Sequence, residues 1–140
     1  MNLNKILIEW NSELKKEGFD TFPITDRDEI VILEITTKKF KSSLRKEKGK
    51  LYLFVPFPKS AEKEIKDNLE SCFFKIAEEK IKKLRLTDGK PVIFDSLIEP
   101  QPLYMKYDVI GMRIYVNDVK NVIDLLREFD DIYEKKDFNI

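Results

Sequence analysis

The run TKKFKSSLRKEKGKLYLFVPFP, residues 37 to 58, constrains the fold more than any other stretch of the chain. Phe40, Ser42 and Leu44 alternate with Lys39, Lys41, Ser43 and Arg45, and KEKGK then turns through Gly49 into Leu51, Leu53, Val55 and Phe57. Two-residue alternation on both sides of a glycine turn is the signature of a β-hairpin. Its first strand is expected to show a basic side to solvent. Its second is apolar on both sides, with Tyr52 and Phe54 against Leu51, Leu53 and Val55. Such a strand needs helices over both faces of its sheet, or a partner over one of them.

The segments around the hairpin supply those layers. Leu3, Ile6, Leu7, Trp10 and Leu14 recur at helical spacing, and Gly18 follows Lys15 and Lys16 as a stop. EIVILEITT, from Glu29 to Thr37, is β-branched and predicts a strand with Val31, Leu33 and Ile35 on its buried side. The acids Asp26, Asp28 and Glu29 before it read as a solvated loop. After the hairpin, Pro56 and Pro58 end the strand, Ser60 is a helix cap, and a long helix is expected from Ala61 to Leu84. Asp88 and Gly89 turn the chain into PVIFDSLIE, a further strand. Tyr104 to Val116 reads as the last strand, bent at Gly111, with Met112, Ile114 and Val116 inward and Arg113 and Tyr115 outward. Asn117 or Asp118 then caps a closing helix whose stripe is Val119, Val122, Ile123, Leu126, Phe129 and Ile132 or Tyr133. The expectation is an α+β domain spanning residues 1 to 140. Its order is helix, three strands, helix, two strands, helix, around a twisted and mainly antiparallel sheet.

Composition narrows the chemistry. The 140 residues include no histidine, which excludes imidazole-based dyads and triads and the usual zinc sites. The four glycines stand apart, so no glycine-rich loop cradles a phosphate. Cys72, the single cysteine, lies on the apolar stripe of the expected long helix and reads as an inert thiol in a reducing, cytoplasmic setting. No cofactor or metal is expected. Lys plus Arg and Asp plus Glu both number 26, a balance unlike that of dedicated DNA-binding proteins. The abundance of Lys and Glu beside one glutamine resembles thermophile usage.

Two local motifs carry alternative chemistry. Asp108, Gly111 and Arg113, within YDVIGMRIYVND, resemble the metal-binding strand of alarmone synthetases. That resemblance implies Asp108 as a metal ligand and Arg113 as a phosphate contact. A metal held by one carboxylate would not orient two nucleotides, so the expectation here is a strand running into a helix. The second motif is the basic run of Lys39, Lys41, Arg45, Lys48 and Lys50, close to Phe40, Tyr52 and Phe54. It could track phosphates while rings stack on bases, which makes a nucleic-acid accessory protein the alternative function. A lysine-rich hairpin kept from edge pairing accounts for the same residues.

A broader resemblance rests on the order of elements. The helix ending LKKEGF, the strands DEIVILEIT and KGKLYLFVPFP, a long middle helix, the strands PVIFDSLIE and MRIYVND, and the helix VKNVIDLLREFDDIYEK together resemble the YbjN and type III secretion chaperone-like superfamily. That resemblance implies a twisted antiparallel sheet flanked by helices, frequent homodimers, and the binding of protein segments without catalysis. The chain departs from the pattern in its longer middle helix, its proline-rich loop before the last strand and its neutral net charge. The expected function is a non-enzymatic protein-binding domain, chaperone-like or adaptor-like, with Tyr52, Phe54 and Tyr115 as its contact residues.

Overall fold

The computed structural model of the chain describes residues 2–56, 79, 82–83, 94–99 and 109–134. In chain order the elements are α1 (Leu3–Lys16), β1 (Asp20–Asp26), β2 (Glu29–Thr36), β3 (Lys41–Glu47), β4 (Lys50–Pro56), β5 (Phe94–Glu99), β6 (Val109–Val116) and α2 (Val119–Glu134). The strands form one sheet in the order β1-β2-β3-β4-β6-β5, and all of its pairings are antiparallel. The α+β class expected from the sequence is what the chain adopts. The helix expected over 61–84 lies almost wholly outside the described residues, as do Cys72 and Asp108.

Both helices end where their sequences direct. The Asn2 side chain accepts the Lys5 N–H at the start of α1. At the other end Gly18, at φ 93°, lets its own N–H reach the Lys15 carbonyl and the Phe19 N–H reach that of Leu14. This is a Schellman stop, and Phe19 packs against the core behind it. Of the two caps considered for α2, Asp118 takes the role, its carboxylate accepting the Lys120 N–H at 2.7 Å.

α1 and α2 pack on one face of the sheet, where the core is aliphatic. Leu7, Trp10 and Leu14 of α1 meet Leu33 and Ile35, Leu44, Leu51, Leu53 and Val55, and Met112, Ile114 and Val116. From α2 come Val122, Ile123, Leu125, Leu126, Phe129 and Ile132. Phe40 joins them edge-on to Phe129 and stacked on Tyr133 at 4.7 Å, so it points inward as its alternation predicts. The Tyr133 hydroxyl donates to the Pro56 carbonyl, tying the end of α2 to the end of β4. Burial pushes that phenol well above the usual tyrosine range.

Three expectations are corrected by the backbone. First, four strands rather than three follow α1 up to Pro56, because DTFPITD forms β1. A mid-strand proline and polar ends hide it, yet proline is tolerated on an edge strand, and β1 is one. Arg27 and Asp28, at φ 52° and 65°, make the two-residue turn into β2, so Asp28 sits in a tight hairpin turn flanked by Asp26 and Glu29 in the strands. Second, Val31 is 45% exposed and does not share the buried side of Leu33 and Ile35. The pairing jumps from Ile24↔Ile32 to Thr25↔Ile30, leaving Val31 as the extra residue of a β-bulge. The Asn4 side chain of α1 accepts the Ile30 N–H at 2.8 Å beside it. Third, β6 is not bent at Gly111, where the register to both neighbours runs without a shift. A Cβ at that position would lie 2.5 Å from the Val55 carbonyl oxygen and 2.6 Å from the Phe54 ring, so the glycine serves close approach.

Candidate functional site

The face of the sheet opposite α1 and α2 is built from cross-strand rows. One row reads Phe22, Glu34, Ser43, Phe54 and Arg113 from β1 to β6, and the next reads Ile24, Ile32, Arg45, Tyr52 and Tyr115. Residues in a row are direct neighbours about 5 Å apart, so the side chains interact strand to strand.

The rows place charge against aromatic rings. The Arg45 guanidinium lies over the Phe54 ring at 5.4 Å, and its Nε donates to the Ser43 hydroxyl at 2.9 Å. Arg113 lies 5.8 Å from the Tyr52 ring centre and 5.4 Å from that of Tyr115. Its Nη1 donates to both carboxylate oxygens of Glu47 at 3.0 and 2.8 Å. The Tyr115 hydroxyl donates to the same carboxylate at 2.9 Å. Glu47 thus draws Arg113 and Tyr115 toward the β3–β4 turn, and the arginine holds the two tyrosines together.

The sequence-predicted residues divide on this map. Tyr52 and Phe54 are buried, Tyr115 is half-buried, and all three belong to the network just described. The helices α1 and α2 pack on the opposite face. Of the basic run, Arg45 is 8% exposed and does not face solvent. Its strand does not present the expected basic side, because the row it occupies is covered. Lys39 and Lys41 are exposed before and at the start of β3, with Lys41 3.9 Å from Glu34. Lys48 and Lys50 are exposed at its far end, around the turn formed by Lys48 and Gly49. At about 3.3 Å per residue the two lysine pairs are separated by roughly 20 Å of strand. They do not form one patch.

The Asp108–Arg113 motif also finds a structural role. Gly111 makes room for Phe54 and Arg113 grips Glu47, while Asp108 lies outside the described residues. Among the described residues no group of three or more His, Cys, Asp or Glu side chains could hold a metal ion.

The face changes character at β1. Phe54 is 3% exposed, but Phe22, in the same row, is 64% exposed, and Ile24 is only half-buried. Among the described residues β1 has a pairing partner on one side alone, so its outer edge carries backbone groups with no described strand beside them. Phe22 escaped the sequence reading because β1 itself was not recognised; once TFPIT is placed on an edge, the phenylalanine stands out. A shallow cleft of about 680 Å³ adjoins the start of β1, between the end of α1, the β2–β3 connection and α2. Within it Arg127 pairs with Glu17 at 2.7 Å and the Thr37 hydroxyl donates to Asp130 at 2.6 Å. Neither described helix is long and apolar enough to cross a membrane.

Compared with family models, with curated proteins and with solved structures, the chain matches none.

Proposed function

We propose that this chain is a non-enzymatic, cytoplasmic protein-binding domain of the adaptor or chaperone-like kind, and that it binds through the β1 side of its sheet. The observation that carries this reading is Phe22, a large ring 64% exposed on a strand whose outer side is unpaired among the described residues. An exposed aromatic beside open backbone donors and acceptors suits an extended segment of another protein, which gains main-chain hydrogen bonds from the edge and an apolar contact from the ring. Tyr52, Phe54 and Tyr115 then act from beneath, fixing the sheet from which β1 projects. Homodimer formation, which the superfamily resemblance implies, would use another surface.

An array of extended peptides probed with the wild-type chain and with Phe22→Asp tests the proposal. Peptides retained by the wild type and lost by Phe22→Asp, at unchanged thermal stability, are the expected result. Equal retention by both proteins would remove β1 from the account. An oligonucleotide titration against Lys39, Lys41, Lys48 and Lys50 reversed to Glu, run alongside, tests the nucleic-acid alternative.

A further inference from the structure

The geometry points to a basic extended segment of a different protein, not a second copy of this chain, as the strand that β1 accepts. This inference rests on the β1 reading above and specifies the chemistry of its occupant. Residues 20 to 29 hold four acids, Asp20, Asp26, Asp28 and Glu29, against one base, Arg27, in a chain whose net charge is zero. All five of these side chains are exposed. β1 itself, DTFPITD, has an acid at each end and no base.

Self-pairing is opposed by the same residues. Two copies of β1 aligned antiparallel about Pro23 would set Asp20 against the second copy's Asp26 at both ends. Like charges directly opposite each other across a ladder are destabilising. The same alignment would bring two prolines together, and neither has an N–H to donate. Parallel pairing in register places aspartate beside aspartate. These features block a homodimeric edge without blocking a foreign strand that has Lys or Arg opposite the aspartates.

Both ends are acidic. Asp20 lines a cleft with Glu17, Asp130 and Asp131 against Lys38 and Arg127, and Arg127 is already paired with Glu17. Asp26 ends β1 beside the turn, with Asp28 and Glu29 near it and only Arg27 against them. An apolar side chain of the partner next to Phe22 completes the fit.

Two heptapeptides of alternating Thr and Val, one with Lys at both ends and one with Glu, serve as probes, with binding followed by backbone amide shifts. The wild-type chain is expected to favour the Lys-ended peptide by roughly tenfold at low salt, with shifts concentrated on residues 21–25, and to lose most of that preference at high salt. D20K/D26K is expected to reverse the preference, a gain for the Glu-ended peptide that a misfolded variant cannot produce. D20K and D26K alone should each move the ratio part of the way. Equal binding of both peptides at β1 would overturn the basic-partner inference and leave edge binding intact. Failure of both peptides to shift any β1 amide would overturn the edge reading itself.

Discussion

Replacing Gly111 by alanine separates the structural account of the Asp108–Arg113 stretch from a nucleotide-binding one. The added Cβ would stand 2.5 Å from the Val55 carbonyl oxygen and 2.6 and 2.8 Å from two atoms of the Phe54 ring. The ring can tilt, but the carbonyl belongs to the β4 backbone paired with β6, so the two strands must separate locally. Overpacking of this kind costs about 1–3 kcal/mol, and the reduced freedom of the unfolded chain returns about 0.4–1 kcal/mol. The net expectation is a loss of about 2 kcal/mol, since backbone is the less yielding neighbour. For a chain of this length that corresponds to a fall of roughly 6–8 °C in Tm. Urea unfolding of Gly111→Ala, Phe54→Leu and the double variant measures it. Trimming the ring relieves only its share of the clash, so the double variant should be less destabilised than the sum of the singles by at least about 0.5 kcal/mol. Gly18→Ala is the control: nothing lies within 4 Å of its Cβ, and only the cost of φ 93° applies. If Gly111→Ala unfolds within about 0.5 kcal/mol of wild type, the close approach of β4 is refuted and the glycine needs another explanation.

Further variants probe the rest of the fold. Leu33→Ala, at a fully buried position, should cost about 2–5 kcal/mol, whereas Val31→Ala at the bulge should cost less than about 1 kcal/mol in the same urea assay. Asn4→Ala removes the acceptor of the Ile30 N–H and should destabilise by about 1–2 kcal/mol, while hydrogen exchange at Ile30 accelerates. Glu47→Gln weakens the hold on Arg113 and Tyr115 and should cost about 1–2 kcal/mol, with an altered near-ultraviolet dichroism from the tyrosines. Tyr133 has its folded-state pKa raised by burial, so its contribution to stability is complete below the unfolded value of 10.0 and declines as the pH climbs above it. Tyr133→Phe should therefore be less stable than wild type near neutrality, and the gap should close or invert above about pH 10 in paired denaturant titrations.

The elements legible in the sequence are those whose side chains repeat without interruption. The stripes of α1 and α2, the alternation of β3 and β4, and Met112, Ile114 and Val116 of β6 all fall where periodicity puts them. What escaped depends on contacts between segments distant in sequence. β1 is recognisable only beside β2, because Pro23 and its polar ends carry little strand propensity of their own. Val31 reads as a core residue until the ladder is seen to skip it, and the amide that answers the skip, Asn4, comes from 26 residues away. Arg45 reads as a surface cation because charge normally marks solvent; its place over Phe54 becomes visible only when β3 and β4 are put in register. Phe22 likewise stands out only once β1 is placed at the edge of the described sheet.

The two faces of the sheet are stabilised by different physics, and the difference bears on how the strands find their register. An aliphatic face tolerates a two-residue slip, which keeps its side chains on the same face, since one branched side chain replaces another at similar cost. The opposite face does not. A one-residue slip of β3 against β4 would carry Arg45 from Phe54 and Ser43 into the aliphatic layer around Leu44 and Leu53. A slip of β6 would do the same to Arg113, removing it from Glu47 and from both tyrosines. An unpaired guanidinium in that layer costs several kcal/mol, far more than the mismatch of any aliphatic pair. The arginines therefore contribute more to selecting one pairing than to its net stability, and hydrophobic replacements such as Arg45→Met should preserve stability better than they preserve a single register. β1 carries no such residue on its outer edge. Its ends carry aspartates and its middle a proline, so like-charge repulsion and a missing N–H are what oppose its pairing with a copy of itself.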